Sequence, residues 1–394
     1  MRKENRNFIF KSFVFWRVLL FAFLFLAIGS VSLQHKYLGG GLAGQQDFLG
    51  GGLVSYLRQP YLWAWGNFDG EHYLSLAYKG YQSLTYFYFP VYPLTIAFIA
   101  SFFGGGFKSL AITGLLISNI SFWVALFGLW KLIKLDYKNN VARLAILLLL
   151  VFPTSFYFGS IYTESIFLAL AVWSFYFARK GKWMCAGILG ALLTATRVVG
   201  LAIVPTLLIE AYLQWKENKK QNHALKIIGT LLPLLGIGWY MFYLNKVTGD
   251  PLEFFHNVSI FGQQRSSSLV LLPRVFYRYI FKVLPSINYS YYPIVFVTYL
   301  EIITAIIFTG LAIISFFKLR LSYAVYLAVG FLIPTLSGSF SSLQRYVLVL
   351  FPAFILSATW LSKQNTWIRY LTLFILMVGL IIATSLFTRG FWVA

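Results

Sequence analysis

Charge is what this sequence has least of. Charged residues make up 11% of its 394 positions, against roughly a quarter in a soluble domain, which leaves too little polar surface to face water on all sides. Acid is scarcer still, with 11 Asp and Glu against 32 Lys and Arg. Cys185 is the one cysteine, so an intrachain disulfide and a thiolate metal cage are both excluded. Its thiol falls in an apolar run, where a buried and inert side chain is expected. No glycine-rich nucleotide loop and no metal-ligand motif occurs, so neither a cofactor nor a metal is expected.

Apolar and aromatic residues are abundant instead. Hydrophobic residues reach 59%, and mean hydropathy is +0.74. The 40 Phe, 26 Tyr and 12 Trp suit aromatic belts at two lipid–water interfaces. The expected fold class is an all-α integral membrane protein. A net charge of +21 would point to nucleic acid in a soluble protein. Here the basic residues stand in short clusters between apolar runs, as in cytoplasmic loops beside anionic lipid. Membrane lipid, and no nucleic acid, is the expected partner.

A span takes about 20 apolar residues. Candidate runs are 13–33, 109–131, 142–158, 162–179, 183–198, 200–214, 225–244, 291–317, 321–337, 344–361 and 367–388. The run 86–103 is apolar too, but holds Pro90 and Pro93. Arg2, Lys3, Arg6 and Lys11 place the N-terminus in the cytoplasm. If 86–103 stays at the outer face as a re-entrant or interfacial helix, five later basic clusters also fall inside. These are Lys131 to Arg143, Arg179 to Lys182, Lys216 to Lys226, Lys318 with Arg320, and Lys363 with Arg369. If it crosses, most of them fall outside. The positive-inside rule therefore selects about eleven spans in one polytopic domain (1–394), with the C-terminus outside. A cleaved signal peptide is the rival reading of the first run, which is long for one. Runs 183–198 and 200–214 are short and part only near Val199–Gly200, as a broken or tilted pair would.

This topology puts Asp47, Asp69, Glu71, Glu164, Asp250 and Glu253 outside, and Glu4, Asp136, Glu210 and Glu217 inside, with Glu301 within a span. Two long outer loops, 34–108 and 245–290, mark the outer face as the functional one. After Asp69, the residues Tyr73, Leu76, Ala77 and Tyr81 recur at helical spacing. That predicts a short amphipathic helix on the membrane surface, with Asp69 at or just before its first turn. There the carboxylate either caps the helix or does chemistry. Glu71 and His72 read as solvated loop residues or as substrate contacts, and their spacing is loose for a metal site. The stretch Phe152 to Ser165 joins two runs and sets Glu164 at a helix start, as an interfacial cap or facing a wet cavity. Arg197 ends one short run, Arg345 begins another, and Arg265 lies in the second long loop. Each either snorkels to headgroups or binds a phosphate group bidentately.

Several of these stretches form an ordered series: Phe68-Asp69 to Gly80-Tyr81, Phe89-Pro90 to Pro93-Leu94, Pro153 to Glu164-Ser165, Ala195-Thr196-Arg197 with Gly200, Gly249-Asp250-Pro251-Leu252, and Gln344-Arg345-Tyr346 to Leu348. In that order the sequence resembles the PIG-V-like mannosyltransferases and their bacterial relatives, which are multispan glycosyltransferases of the GT-C class. The resemblance implies inverting transfer of a sugar, mannose foremost, from a polyprenyl- or dolichyl-phosphate donor. The acceptor would be a glycolipid, glycan or protein at the extracytoplasmic face of a prokaryotic plasma membrane, or of the endoplasmic reticulum in a eukaryote. It implies Asp69 as catalytic base; Glu164 is the second candidate, for orienting the acceptor or for pairing with one of the arginines. Arg197, Arg345 and Arg265 would hold the donor phosphate, and Glu71, His72, Tyr73, Tyr162 and Asp250 would contact substrate. Two rival classes remain. A transporter or flippase for a lipid-linked glycan would place ionisable groups at mid-depth within paired repeats. Glu301 is the one acid well inside a predicted span, and no such repeat is visible. An O-antigen-ligase-like enzyme would need a large outer loop later in the chain.

Overall fold

The computed structural model describes residues 3–34, 52–82, 85–217, 223–256 and 269–393, and among them all regular structure is helical. Among the described residues, six helices are long and apolar enough to cross a membrane: Lys3–Ser30, Phe107–Ile133, Val198–Glu217, Ala224–Thr248, Tyr292–Lys318 and Thr366–Thr388. Leu343–Val349 and Phe351–Leu361 make a seventh span if they act as one, though they are bent by 80° at their break. The chain is a multi-pass integral membrane protein.

Each of the eleven apolar runs lies on helix, but not all reach spanning length. Asn139–Val151, Glu164–Arg179, Trp183–Thr194 and Leu321–Thr335 have 13, 16, 12 and 15 residues, against the roughly 20 of an upright span. Full length is reached by six or seven helices. The proline-containing run forms one 11-residue helix, Val91–Ser101, which starts after Pro90. Pro93 lies in its first turn, where a missing N–H breaks no helical bond. The expected break between 183–198 and 200–214 is present: Trp183–Thr194 stops, and helix resumes at Val198. Gly200 permits the return, because a Cβ there would lie 2.6 Å from the Leu193 carbonyl.

The chain divides into two compact units. The first comprises Met1–Phe127, Ile146–Ile166 and Gln364–Val393. In it the Lys3–Ser30 helix packs along Thr366–Thr388. The end of the latter accepts bonds from the Tyr56 hydroxyl to the Thr388 carbonyl (2.5 Å) and from Asn67 Nδ2 to the Phe387 carbonyl (2.9 Å). The residues just before Asp69 are thereby fixed to the last helix.

The second unit comprises Gly128–Ala145 and Phe167–Lys363. Small residues bring its helices close: a Cβ on Gly187 would strike the Gly229 carbonyl, and one on Gly236 the Ala191 carbonyl. A charge network surrounds Glu210, which is fully buried. Arg320 grips its carboxylate through Nε at 2.8 Å and Nη2 at 3.0 Å, Ser322 Oγ donates at 2.7 Å, and Gln214 Nε2 donates at 2.8 Å. Arg179 lies 3.5 Å from the same carboxylate and makes a two-pronged bond to Asp136, both prongs at 2.7 Å. Arg320 reaches on to Glu217 at 2.8 Å. Cys185 is exposed on its helix, not buried as its apolar run suggests. In a membrane protein an apolar run serves lipid as well as core, so apolarity does not tell the two faces apart.

Candidate active site

Asp69 opens the helix Asp69–Lys79, as the spacing predicts. The cap position falls to Phe68, at φ 59° and ψ −118°. Those angles belong to the first central position of a type II′ turn, which glycine ordinarily holds. The turn closes where the Gly70 N–H donates to the Asn67 carbonyl at 3.3 Å. A bulky residue in this region stores about 1–3 kcal/mol of strain, which persists only where the surroundings enforce it. Here the enforcement is aromatic: the Phe68 ring lies 4.9 Å from Trp392, edge to face, and 5.9 Å from Phe387.

The Asp69 carboxylate emerges from this turn toward a wall of aromatic rings. Tyr88 donates its hydroxyl to Asp69 Oδ1 at 3.1 Å. The Tyr88 ring stacks on His72 at 5.0 Å and meets Tyr73 edge-on at 5.1 Å. Tyr73 in turn meets Tyr92 at 5.3 Å and Tyr162 at 6.3 Å, and its hydroxyl lies 3.4 Å from Thr163 Oγ1. Two hydrogen bonds to backbone carbonyls join the segment before Asp69 to the segment before Glu164. The Tyr162 hydroxyl donates to the Asn67 carbonyl at 2.8 Å, and the Ile161 N–H donates to the Trp65 carbonyl at 2.9 Å. Glu164 starts its helix as expected, is buried, and acts electrostatically on the Tyr92 hydroxyl. Asp69 and Tyr73 thus form one cluster in the first unit with Tyr162 and Glu164, a pair from a distant stretch of the chain.

Glu71 and His72 are not solvated loop residues. Glu71 is 6% exposed and His72 half-buried, because both lie in the first turn of the helix whose inner face also carries Gly70, Leu74 and Ser75. Burial pushes the His72 imidazole below its ordinary value, and the charge of Asp69 opposes that only in part. The folded protein therefore resists a proton that the unfolded chain accepts, and stability falls as pH drops through about 6.5 toward the depressed value. His72→Phe keeps the stacking on Tyr88 and removes the titration. Its Tm should fall less than that of the wild type between about pH 7.5 and pH 5.5; equal falls would contradict the assignment.

The candidate cations lie in the second unit. Arg197 stands in extended backbone (φ −161°, ψ 149°) between Trp183–Thr194 and Val198. Arg345 is buried in the short helix Leu343–Tyr346. The ring of Tyr346 gathers both, with guanidinium carbons 4.8 Å (Arg197) and 5.5 Å (Arg345) from its centroid. Two guanidinium groups held on one aromatic ring suit a multiply charged oxyanion such as phosphate. Ser342, three residues before Arg345, has φ 66°. Among the described residues, Phe68 and Ser342 are the two non-glycine positions with positive φ, and each directly precedes a candidate residue or its helix.

Two other candidates remain. Asp250 is committed to a local turn: it accepts the Leu252 N–H at 2.9 Å and pairs with His256 Nδ1 at 2.5 Å. Arg265 lies outside the described residues. Among the described residues, no three His, Cys, Asp or Glu side chains gather as a metal cage.

Sequence reasoning missed Tyr88 and Arg17. Tyr88 carries no local signal, since its partner is 19 residues away. Arg17 sits midway along Lys3–Ser30, with its guanidinium 4.5 Å from the Phe21 ring and 4.7 Å from the Trp65 ring. A Cβ on Gly159 would collide with its Nη1. It therefore packs beneath the two segments that lead to Asp69 and Glu164. An arginine inside an otherwise uncharged run was the available signal.

No protein-family model and no curated protein sequence matches the chain. Among solved structures it is similar to ArnT from Cupriavidus metallidurans, crystallised bound to undecaprenyl phosphate, with 16% identity and a TM-score of 0.49 over 94% of this chain. The chain spans 63% of that protein's length.

Proposed function

We propose that the chain is a glycosyltransferase of the GT-C class, akin to the PIG-V-like mannosyltransferases. It moves a sugar, mannose foremost, from a polyprenyl-phosphate donor to an acceptor hydroxyl at the extracytoplasmic face. The observation that carries this reading is Asp69: a carboxylate delivered by a strained turn at a helix start, bonded by Tyr88 and walled by aromatic side chains. Strain of this kind gathers at functional sites, and aromatic faces suit the apolar faces of a sugar ring.

The chemistry needs few parts. Asp69 takes the proton of the acceptor hydroxyl as its oxygen bonds to the anomeric carbon. The bond from that carbon to the phosphate oxygen breaks on the opposite face, and its electron pair leaves on the lipid phosphate. A phosphate leaving group needs charge stabilisation more than a proton, and the guanidinium pair of Arg197 and Arg345 has the charge for that role. Glu164 orients the acceptor. His72, whose imidazole burial holds below its ordinary value, stacks with Tyr88 and steadies the hydroxyl bonded to Asp69.

The phosphate role is tested by titrating undecaprenyl phosphate into the purified protein in detergent micelles. Truncating Arg345→Ala removes a charge-assisted bond and should weaken binding about 10- to 100-fold. Unchanged affinity would remove the phosphate contact from this account.

A further inference from the structure

Glu301 is a carboxylate inside a spanning helix, and the proposed transfer chemistry makes no use of it. It lies in Tyr292–Lys318 and is 6% exposed. An acid at this depth costs a few kcal/mol on insertion scales, so its bonds indicate what it is for. Oε2 accepts the Tyr279 hydroxyl at 3.1 Å, and Oε1 accepts the backbone N–H of Ser342 at 3.3 Å. The Tyr279 oxygen accepts the Phe340 N–H at 3.1 Å and lies 3.3 Å from Ser339 Oγ, which accepts the Ser341 N–H at 3.1 Å. The Phe340 ring packs on Tyr279 at 4.7 Å.

These bonds converge on residues 339–342, where the N–H groups of Phe340, Ser341 and Ser342 bond to side chains rather than to backbone carbonyls. Ser342 sits there at φ 66° and is fully buried. A buried N–H in left-handed backbone needs a fixed acceptor. The carbonyl of the same residue then accepts the N–H groups of Arg345 (3.0 Å) and Tyr346 (3.1 Å), which starts the turn carrying both. A carboxylate suits the task because it offers two acceptor oxygens at once, one for the tyrosine and one for the amide.

We propose that Glu301, with Tyr279 as its relay, is a positioning residue. It clamps the strained backbone at Ser342 so that Arg345 is presented beside Arg197 on the Tyr346 ring. The inference rests on reading Arg345 as a phosphate contact, and the test separates the two claims.

The experiment measures binding of undecaprenyl phosphate to the purified full chain in micelles, for Arg345→Ala, Glu301→Ala, the double variant and Glu301→Gln. Unfolding of each variant is followed in parallel. Arg345→Ala should lose about 10- to 100-fold in affinity. Glu301→Ala should lose nearly as much, and the double variant should be no worse than Arg345→Ala alone. Glu301→Gln retains one acceptor and should lose less than the alanine. Such non-additivity is the signature of one residue acting through another, which a general loss of stability would not produce. If Glu301→Ala does not fold, Tyr279→Phe keeps the ring packing, removes the relay hydroxyl and should weaken binding in the same direction. Wild-type affinity in folded Glu301→Ala or Tyr279→Phe, or multiplied losses in the double variant, would overturn the clamp while leaving Arg345 its role. Wild-type affinity in Arg345→Ala would instead defeat the phosphate reading and the clamp's purpose together.

Discussion

Asp69→Asn should abolish sugar transfer, with a loss of about 10²- to 10⁴-fold, the range associated with removing a general base. The substitution conserves size and still accepts the Tyr88 hydroxyl, so the 3.1 Å contact survives. What disappears is the proton-accepting capacity that the proposed role of Asp69 requires. Binding of undecaprenyl phosphate and thermal unfolding should stay near wild-type values, because the strained turn at Phe68 and its aromatic support are untouched. Turnover within about threefold of the wild type would take the catalytic role away from Asp69. The comparison with Asp69→Ala adds information: losing the Tyr88 partner as well should lower stability, whereas Asn should not.

The second large effect concerns stability, in the other unit. Glu210→Ala removes the one carboxylate on which Arg320, Arg179, Ser322 and Gln214 converge. Glu210 has no exposed side-chain surface, while Arg179 and Arg320 keep 11% and 22% of theirs. Breaking a buried pair by deleting one partner leaves the other charge uncompensated, at a cost of about 3–5 kcal/mol. The modest exposure of both arginines places the expected loss at the lower end of that range, about 3 kcal/mol. Glu217 provides the control. It bonds the same Arg320 but keeps 58% of its side-chain surface exposed, so Glu217→Ala should change stability by less than about 1 kcal/mol. Equal effects of the two substitutions in denaturant unfolding would show that burial does not set the strength of this network.

The helices were largely legible in the sequence, because apolar runs and their proline or glycine interruptions are local signals. Asp69 and Glu164 fall in first turns as expected, since helix starts also declare themselves locally. Span length was less legible. The run 142–158 reads as a full span, yet its helix stops at Val151, where the chain turns into the short 3-10 segment Ser155–Gly159. Pairings between distant residues were invisible. Nothing near Glu210 announces Arg320, 110 positions later, and nothing near Asp69 announces Tyr88. The positive φ of Phe68 was hidden for another reason: glycine ordinarily marks such a turn, and a phenylalanine held there by Trp392 and Phe387 gives no signal of it. Glu71 and Glu301 were seen as acids, but their burial depends on packing that only the folded chain reveals.

The most direct measurement follows the fate of the donor. Purified protein in lipid nanodiscs is given radiolabelled polyprenyl-phosphate mannose, glucose or arabinose with a panel of glycolipid and peptide acceptors. The account predicts that one of these donors is consumed, that free polyprenyl phosphate appears in equal amount with an inverted glycosidic product, and that Asp69→Asn yields neither. Sugar drawn from a nucleotide donor, or intact lipid-linked sugar moved across the bilayer with its phosphate bond unbroken, would contradict it.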